Sequence, residues 1–310
     1  MRTSRKSWGK ETALQVPAQF DYEVATSVEE AIELLQRHGP EARLLAGGHS
    51  LIPMMKLRLA FPEVLIDIHE LDDELRYVRE EEGKLRVGAL ARHRDLLESP
   101  VVRERYTLLA DAEKFIADPL VRNMGTVGGS FAHADPSEDL PAAFVALGAG
   151  VVVRGPGGER TIAVEDLAVG PFETAIEPDE ILIEARVPRA PQGSSYFKVE
   201  RRAGDYASAA LGVALWMSGD EIEDARVGMC GVGSTTLRAR EAEEVLKGQS
   251  PDEELFKRAG ERAAEECDPP DDARGTPEYK RDLVRVLVVR AMEQAVGRAR
   301  GAEDRTADGR

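Results

Sequence analysis

Two glycine pairs about eighty residues apart constrain this 310-residue chain more than any other feature. The first lies in Ala46-Gly47-Gly48-His49-Ser50-Leu51 and the second in Thr126-Val127-Gly128-Gly129-Ser130. Glycine admits positive φ without steric cost and lets backbone N–H groups come close to an anion. A small hydroxyl beside the pair adds a donor, and consecutive N–H groups in such turns form anion-holding nests. A single loop of this kind carries little weight among 28 glycines. Two loops of one design predict a single diphosphate held from both sides, and therefore a nucleotide cofactor.

The segments around the loops read as α+β. Ser27-Val28-Glu29-Glu30 is a capping box, followed by Ala31, Ile32, Leu34 and Leu35 at helical spacing. A strand over 42–46 runs into the first pair, and a short helical segment leaves it over 51–58. Strands are predicted over 64–68, 85–90, 148–154, 160–164 and 181–187. A helix is expected over 101–115, and another starts at Asp139 with Pro141 in its first turn. The stretch from Pro188 to Gly193 reads as a domain boundary. Beyond it, strands over 195–202, 207–216 and 225–232 precede helices over 252–266 and 277–296, an antiparallel sheet backed by helices. The last helix is expected to bury Leu283, Val284, Val286, Leu287, Val288 and Ala291. This gives a domain over 17–190 and a second over 193–297. A flexible extension is expected over 1–16 and a disordered tail over 298–310.

Other chemistries are excluded by what the chain lacks. No GxGxxG or GxxxxGK[ST] is present, so neither a Rossmann nor a P-loop reading holds. The five histidines form no HExxH, and no GxSxG elbow occurs, so no catalytic residue or metal ligand is assigned. Cys230 and Cys267 are too few to hold an iron–sulfur cluster or build a disulfide framework. They suit the cytoplasm. A net charge of −16 without a basic stripe makes nucleic acid a poor partner. No apolar run approaches the length of a membrane span.

The glycine pairs sit inside longer stretches: AGGHSLIPMMKLR from Ala46, VRNMGTVGG from Val121, AHADPSEDLP from Ala132 and RRAGDYASAALGVAL from Arg201. In order and spacing these resemble the flavin-binding medium subunits of the molybdenum hydroxylases, the carbon monoxide dehydrogenase and xanthine dehydrogenase family, over roughly 17–296. The resemblance implies a PCMH-type FAD-binding domain of two α/β subdomains plus a C-terminal α+β domain. It places the diphosphate against the N–H groups of Gly47, Gly48, His49, Gly128 and Gly129, with Ala46 and Leu51 in the same wall. Ser50, Thr126 and Ser130 would add hydroxyls, and Ser130 departs from the Asn or Asp usual there. Asp139 would accept from the ribityl hydroxyls, Ala132 pass close to the flavin ring, Ile116 border the adenine and Tyr206 cover the isoalloxazine. Lys56 or Arg58 would offset phosphate charge. The implied partners are a large molybdenum-cofactor subunit and a small iron–sulfur subunit in a dimer of heterotrimers, with an external electron acceptor. Two alternatives stand beside this: a self-sufficient flavin oxidoreductase of the same fold, and a non-catalytic interaction protein with a vestigial site.

Overall fold

The computed structural model describes residues 16–301, so most of both expected tails, 1–15 and 302–310, lies outside the described residues. The first layer begins with the predicted cap. Ser27 Oγ accepts from Glu30 N at 3.1 Å, while the Glu30 carboxylate reaches back to Thr26 N at 2.8 Å. The capped helix, Val28–His38, buries Val28, Ala31, Ile32, Leu34 and Leu35. That face joins a core with a three-stranded parallel sheet in which Val64–Asp67 lies between Asp21–Val24 and Ala42–Leu45.

A second sheet has five strands, antiparallel throughout, in the order Val78–Glu81, Lys84–Gly88, Ile181–Val187, Gly150–Gly155, Gly158–Ala163. Its central strand serves two cores because side chains alternate across a sheet and a register shift between Leu182 and Glu184 switches that alternation midway. Ile181 and Ile183 join the first core, whereas Leu182, Ala185 and Val187 join a larger one with the helices behind. The edge strand Val78–Glu81 escaped the sequence reading because three of its four residues are charged, as edges often are. The helix expected over 101–115 is two, Pro100–Arg105 and Thr107–Phe115. Tyr106 between them leaves the helical backbone, and its side chain is fully buried.

The third sheet is antiparallel: Gly193–Glu200, Ala207–Ser218, Glu221–Cys230 and Leu237–Arg238. One face packs beneath Arg240–Leu246, Glu253–Glu265 and Pro277–Ala299. The other packs on Asp139–Ala146, close enough that a Cβ on Gly228 would lie 2.1 Å from Ala142 O. The last helix departs from the sequence reading in two ways. It continues to Ala299, three residues past its expected end, and Val286 is exposed. Its buried stripe runs Val284, Leu287, Val288, Ala291, Met292, Ala295, the i, i+3, i+4 spacing of one face, and Val286 lies off it.

Candidate dinucleotide site

The first glycine pair leaves the end of strand Ala42–Leu45 and turns into the short helix Leu51–Lys56. Gly48 has φ +71°, a conformation that requires glycine. The turn's carbonyls are used: Gly48 O accepts from Ile52 N and Ser50 O from Met54 N, both at 3.1 Å. Its donors are not. Among the described residues, the N–H groups of Gly47, Gly48, His49, Ser50 and Leu51 find no acceptor. Backbone donors in folded proteins are nearly always paired, so five consecutive unspent ones beside a cavity are a place for an anion.

The second pair faces the first at contact distance. A Cβ on Gly47 would lie 2.2 Å from Met124 O, so only glycine allows the two segments to touch. That carbonyl is pinned by Arg92 Nη1 at 2.6 Å, and Arg92 is buried. Here the structure corrects the sequence reading. Gly128 and Gly129 are not a loop but the first turn of the helix Val127–His133, capped by Thr126. Gly128 N donates to Ala89 O at 2.8 Å and Gly129 N to Thr126 Oγ1 at 3.0 Å, so neither is left for a phosphate. Gly128 serves packing instead, since a Cβ there would come within 2.7 Å of Ala89 Cβ. The segment that anchors this turn is 89–93, whose first two residues the sequence reading put in a strand that ends at Gly88. Val127 N bonds to Ala91 O, and His93 N to Gly125 O.

Between the two segments lies a cavity of about 1060 Å³, at the upper end of small-molecule and cofactor sites. Ala46, Gly47, Gly48, His49, Ser50, Leu51, Ile116, Thr126, Gly129, Ser130, Ala132, Asp139 and Tyr206 all line it, and Gly128 stands behind the wall. Lys56 and Arg58 are exposed and do not line it, which removes them as phosphate counterions. Ile116 and Tyr206 come together because Gly204, φ +78°, presses its turn onto Ala117 O.

The floor holds a buried network. Asp139 accepts from Tyr196 Oη and Lys198 Nζ, each at 2.8 Å, and Lys198 also donates to Phe115 O at 3.2 Å. Burial raises the Asp139 pKa, with Lys198 and Tyr196 pulling against it. Each carboxylate oxygen retains accepting capacity for a ligand hydroxyl. Lys198 lines the cavity and was missed in the sequence. Its signal was the polar period of two, Tyr196, Lys198, Glu200, alternating with Phe197 and Val199. Beneath Gly125, His93 Nδ1 pairs with Glu113 at 3.1 Å in full burial. Among the described residues no group could hold a metal ion, both cysteines are free and buried, and no helix is long and apolar enough to cross a membrane.

Comparison with known proteins gives this cavity a family. Residues 18–190 match the family of the FAD binding domain in molybdopterin dehydrogenase, and 194–295 that of the CO dehydrogenase flavoprotein C-terminal domain. The chain is 41% identical to the carbon monoxide dehydrogenase medium chain of Hydrogenophaga pseudoflava, over 91% of this chain and 99% of the relative. It is 37% identical to the glyceraldehyde dehydrogenase medium chain of Sulfolobus acidocaldarius, over 90% and 99%. A chain of the solved carbon monoxide dehydrogenase from Hydrogenophaga pseudoflava superposes with a TM-score of 0.88 at 42% identity, covering 91% of this chain and 99% of that one. A glycine-gripped cavity with five free backbone donors, within two matching family domains, identifies the chain as a member of the FAD-binding medium subunits of the molybdenum hydroxylases, a family of oxidoreductase subunits.

Proposed function

We propose that this chain is the electron-transfer subunit of a molybdenum hydroxylase, taking electrons from iron–sulfur clusters of a partner subunit and passing them to an external acceptor. The observation that carries the reading is the run of unpaired N–H groups from Gly47 to Leu51, which fits a diphosphate. FAD would supply the redox chemistry; the protein's part is placement and exclusion. The first glycine segment holds the diphosphate through its N–H groups, and the Thr126 hydroxyl adds a donor, since its oxygen already accepts from Gly129 N. Asp139, fixed by Tyr196 and Lys198, accepts from the ribityl hydroxyls. Ile116 borders the adenine, while Ala132 and the half-exposed Tyr206 border the flavin ring.

The curated relatives are medium chains, which supports a large molybdenum-cofactor subunit and a small iron–sulfur subunit as partners in a cytoplasmic dimer of heterotrimers. Domains over 17–190 and 193–297 are part of this reading. The test is a titration of the purified chain with FAD and with FMN, followed by flavin absorbance and fluorescence, and repeated on the co-expressed complex. FAD binds selectively, because only FAD carries the diphosphate. Equal affinity for FMN, or a complex purified without flavin, overturns the reading.

A further inference from the structure

The family resemblance implies a phosphate contact for Ser130, but in the structure Ser130 Oγ donates to Glu138 Oε2 at 2.6 Å. Both residues line the cavity, and Ser130 is itself buried. Its hydroxyl proton is therefore spent on the carboxyl of Glu138, which is half-buried in the cavity wall. Glu138 makes no salt bridge among the described residues. The charged and titratable groups around it are Asp135 and Asp139 along the chain, and Asp205 and Tyr206 on the facing turn. Lys198 is committed to Asp139 and Glu200, and the Arg274 guanidinium lies over the Tyr206 ring at 5.5 Å.

An ionised carboxylate there would face two acids without a cation of its own. Desolvation and like charges both favour the neutral form. Burial first, then Asp135 and Asp139, hold the Glu138 pKa well above the ordinary carboxylate range, against the Ser130 hydrogen bond.

We propose that Glu138, steadied by Ser130 and present as the neutral acid, is the side chain that presents a hydrogen bond to FAD from this wall. This rests on the FAD reading above and assigns the specificity of one wall of that site. With Oε2 held by Ser130, the other carboxyl oxygen is left for the cofactor. Ionisation converts a donor into a like charge, so above the Glu138 pKa one proton is taken up together with FAD. Affinity then falls about tenfold per pH unit above the Glu138 pKa, as linkage of one proton requires.

The experiment titrates the full chain with FAD from neutral to alkaline pH for the native protein, Glu138→Gln, Glu138→Ala and Ser130→Ala. Glu138→Gln keeps the neutral-pH affinity and loses the alkaline decline, Glu138→Ala binds weakly at every pH, and Ser130→Ala falls between. An alkaline decline unchanged in Glu138→Gln, or native affinity in Glu138→Ala, overturns the proposal. A second readout needs no cofactor. The infrared difference between native chain and Glu138→Gln at neutral pH contains a protonated-carboxyl C=O band, displaced in Ser130→Ala. Absence of that band overturns the neutral acid even if FAD binds. Absence of FAD binding in every variant and in the co-expressed complex, with the band present, refutes the FAD reading instead.

Discussion

Replacing Gly47 by Ala tests the grip on which the site depends. Gly47 does not have positive φ, so alanine is allowed on backbone grounds and the penalty is purely steric. The new Cβ would sit 2.2 Å from Met124 O and 2.9 Å from Gly125 Cα, where real contacts essentially never fall below 3.0 Å. The two segments must therefore part by about 0.8 Å. Met124 O cannot simply rotate away, because Arg92 Nη1 holds it from a buried position. Overpacking of this kind costs about 1–3 kcal/mol of stability. Loss of one charge-assisted hydrogen bond to the diphosphate costs about 1.5–3 kcal/mol, roughly 10- to 100-fold in Kd. Gly157→Ala is the control: it has no positive φ and nothing within 4 Å of a Cβ, and it lowers the entropy of the unfolded chain. FAD fluorescence titration and thermal unfolding read both variants. Gly47→Ala loses FAD affinity and melts lower, whereas Gly157→Ala does neither. Native affinity and native Tm in Gly47→Ala would refute the argument that contact between the two glycine segments builds the site.

Two further outcomes follow from the second segment. Thr126→Val keeps the buried shape but removes the acceptor of Gly129 N, so denaturant unfolding should show a loss of about 1 kcal/mol, restored in Thr126→Ser; equal stability of the Val and Ser variants counts against the cap. Burial works against the His93 imidazolium, but Glu113 outweighs it and leaves the His93 pKa above 6.5. Its contribution to stability is then full below pH 6.5 and lost as pH rises through the folded value, and the Glu113 pKa, raised by burial, acts in the same direction. Glu113→Gln should flatten the decline in Tm above pH 6.5, and an unchanged decline refutes this pair as its source.

The elements that were legible in the sequence are those with strong local signals. The Ser27 cap and the strands around Val64–Asp67 and Ile181–Val187 declare themselves by capping and spacing, which act over a few residues. The first glycine pair did the same for the cofactor class, because glycine favours the tight turn that leaves consecutive N–H groups free, Gly48 having φ +71°. Local signals also misled: the helix expected over 101–115 hid the break at Tyr106, and helical spacing put Val286 inside.

What only the tertiary structure decided is who is partnered with whom. The sequence presents Gly47 and Gly128 as equivalents, yet Gly47 abuts Met124 O with its N–H free while Gly128 spends its own on Ala89. Ser130 has a donor in any sequence reading, and the fold directs it to Glu138. Asp139 acquires Lys198 and Tyr196 from a strand some sixty residues away. A residue's type states which hydrogen bonds it can make. Which of them remain for a ligand depends on which donors and acceptors the packed chain has already consumed, and that is a property of the whole fold.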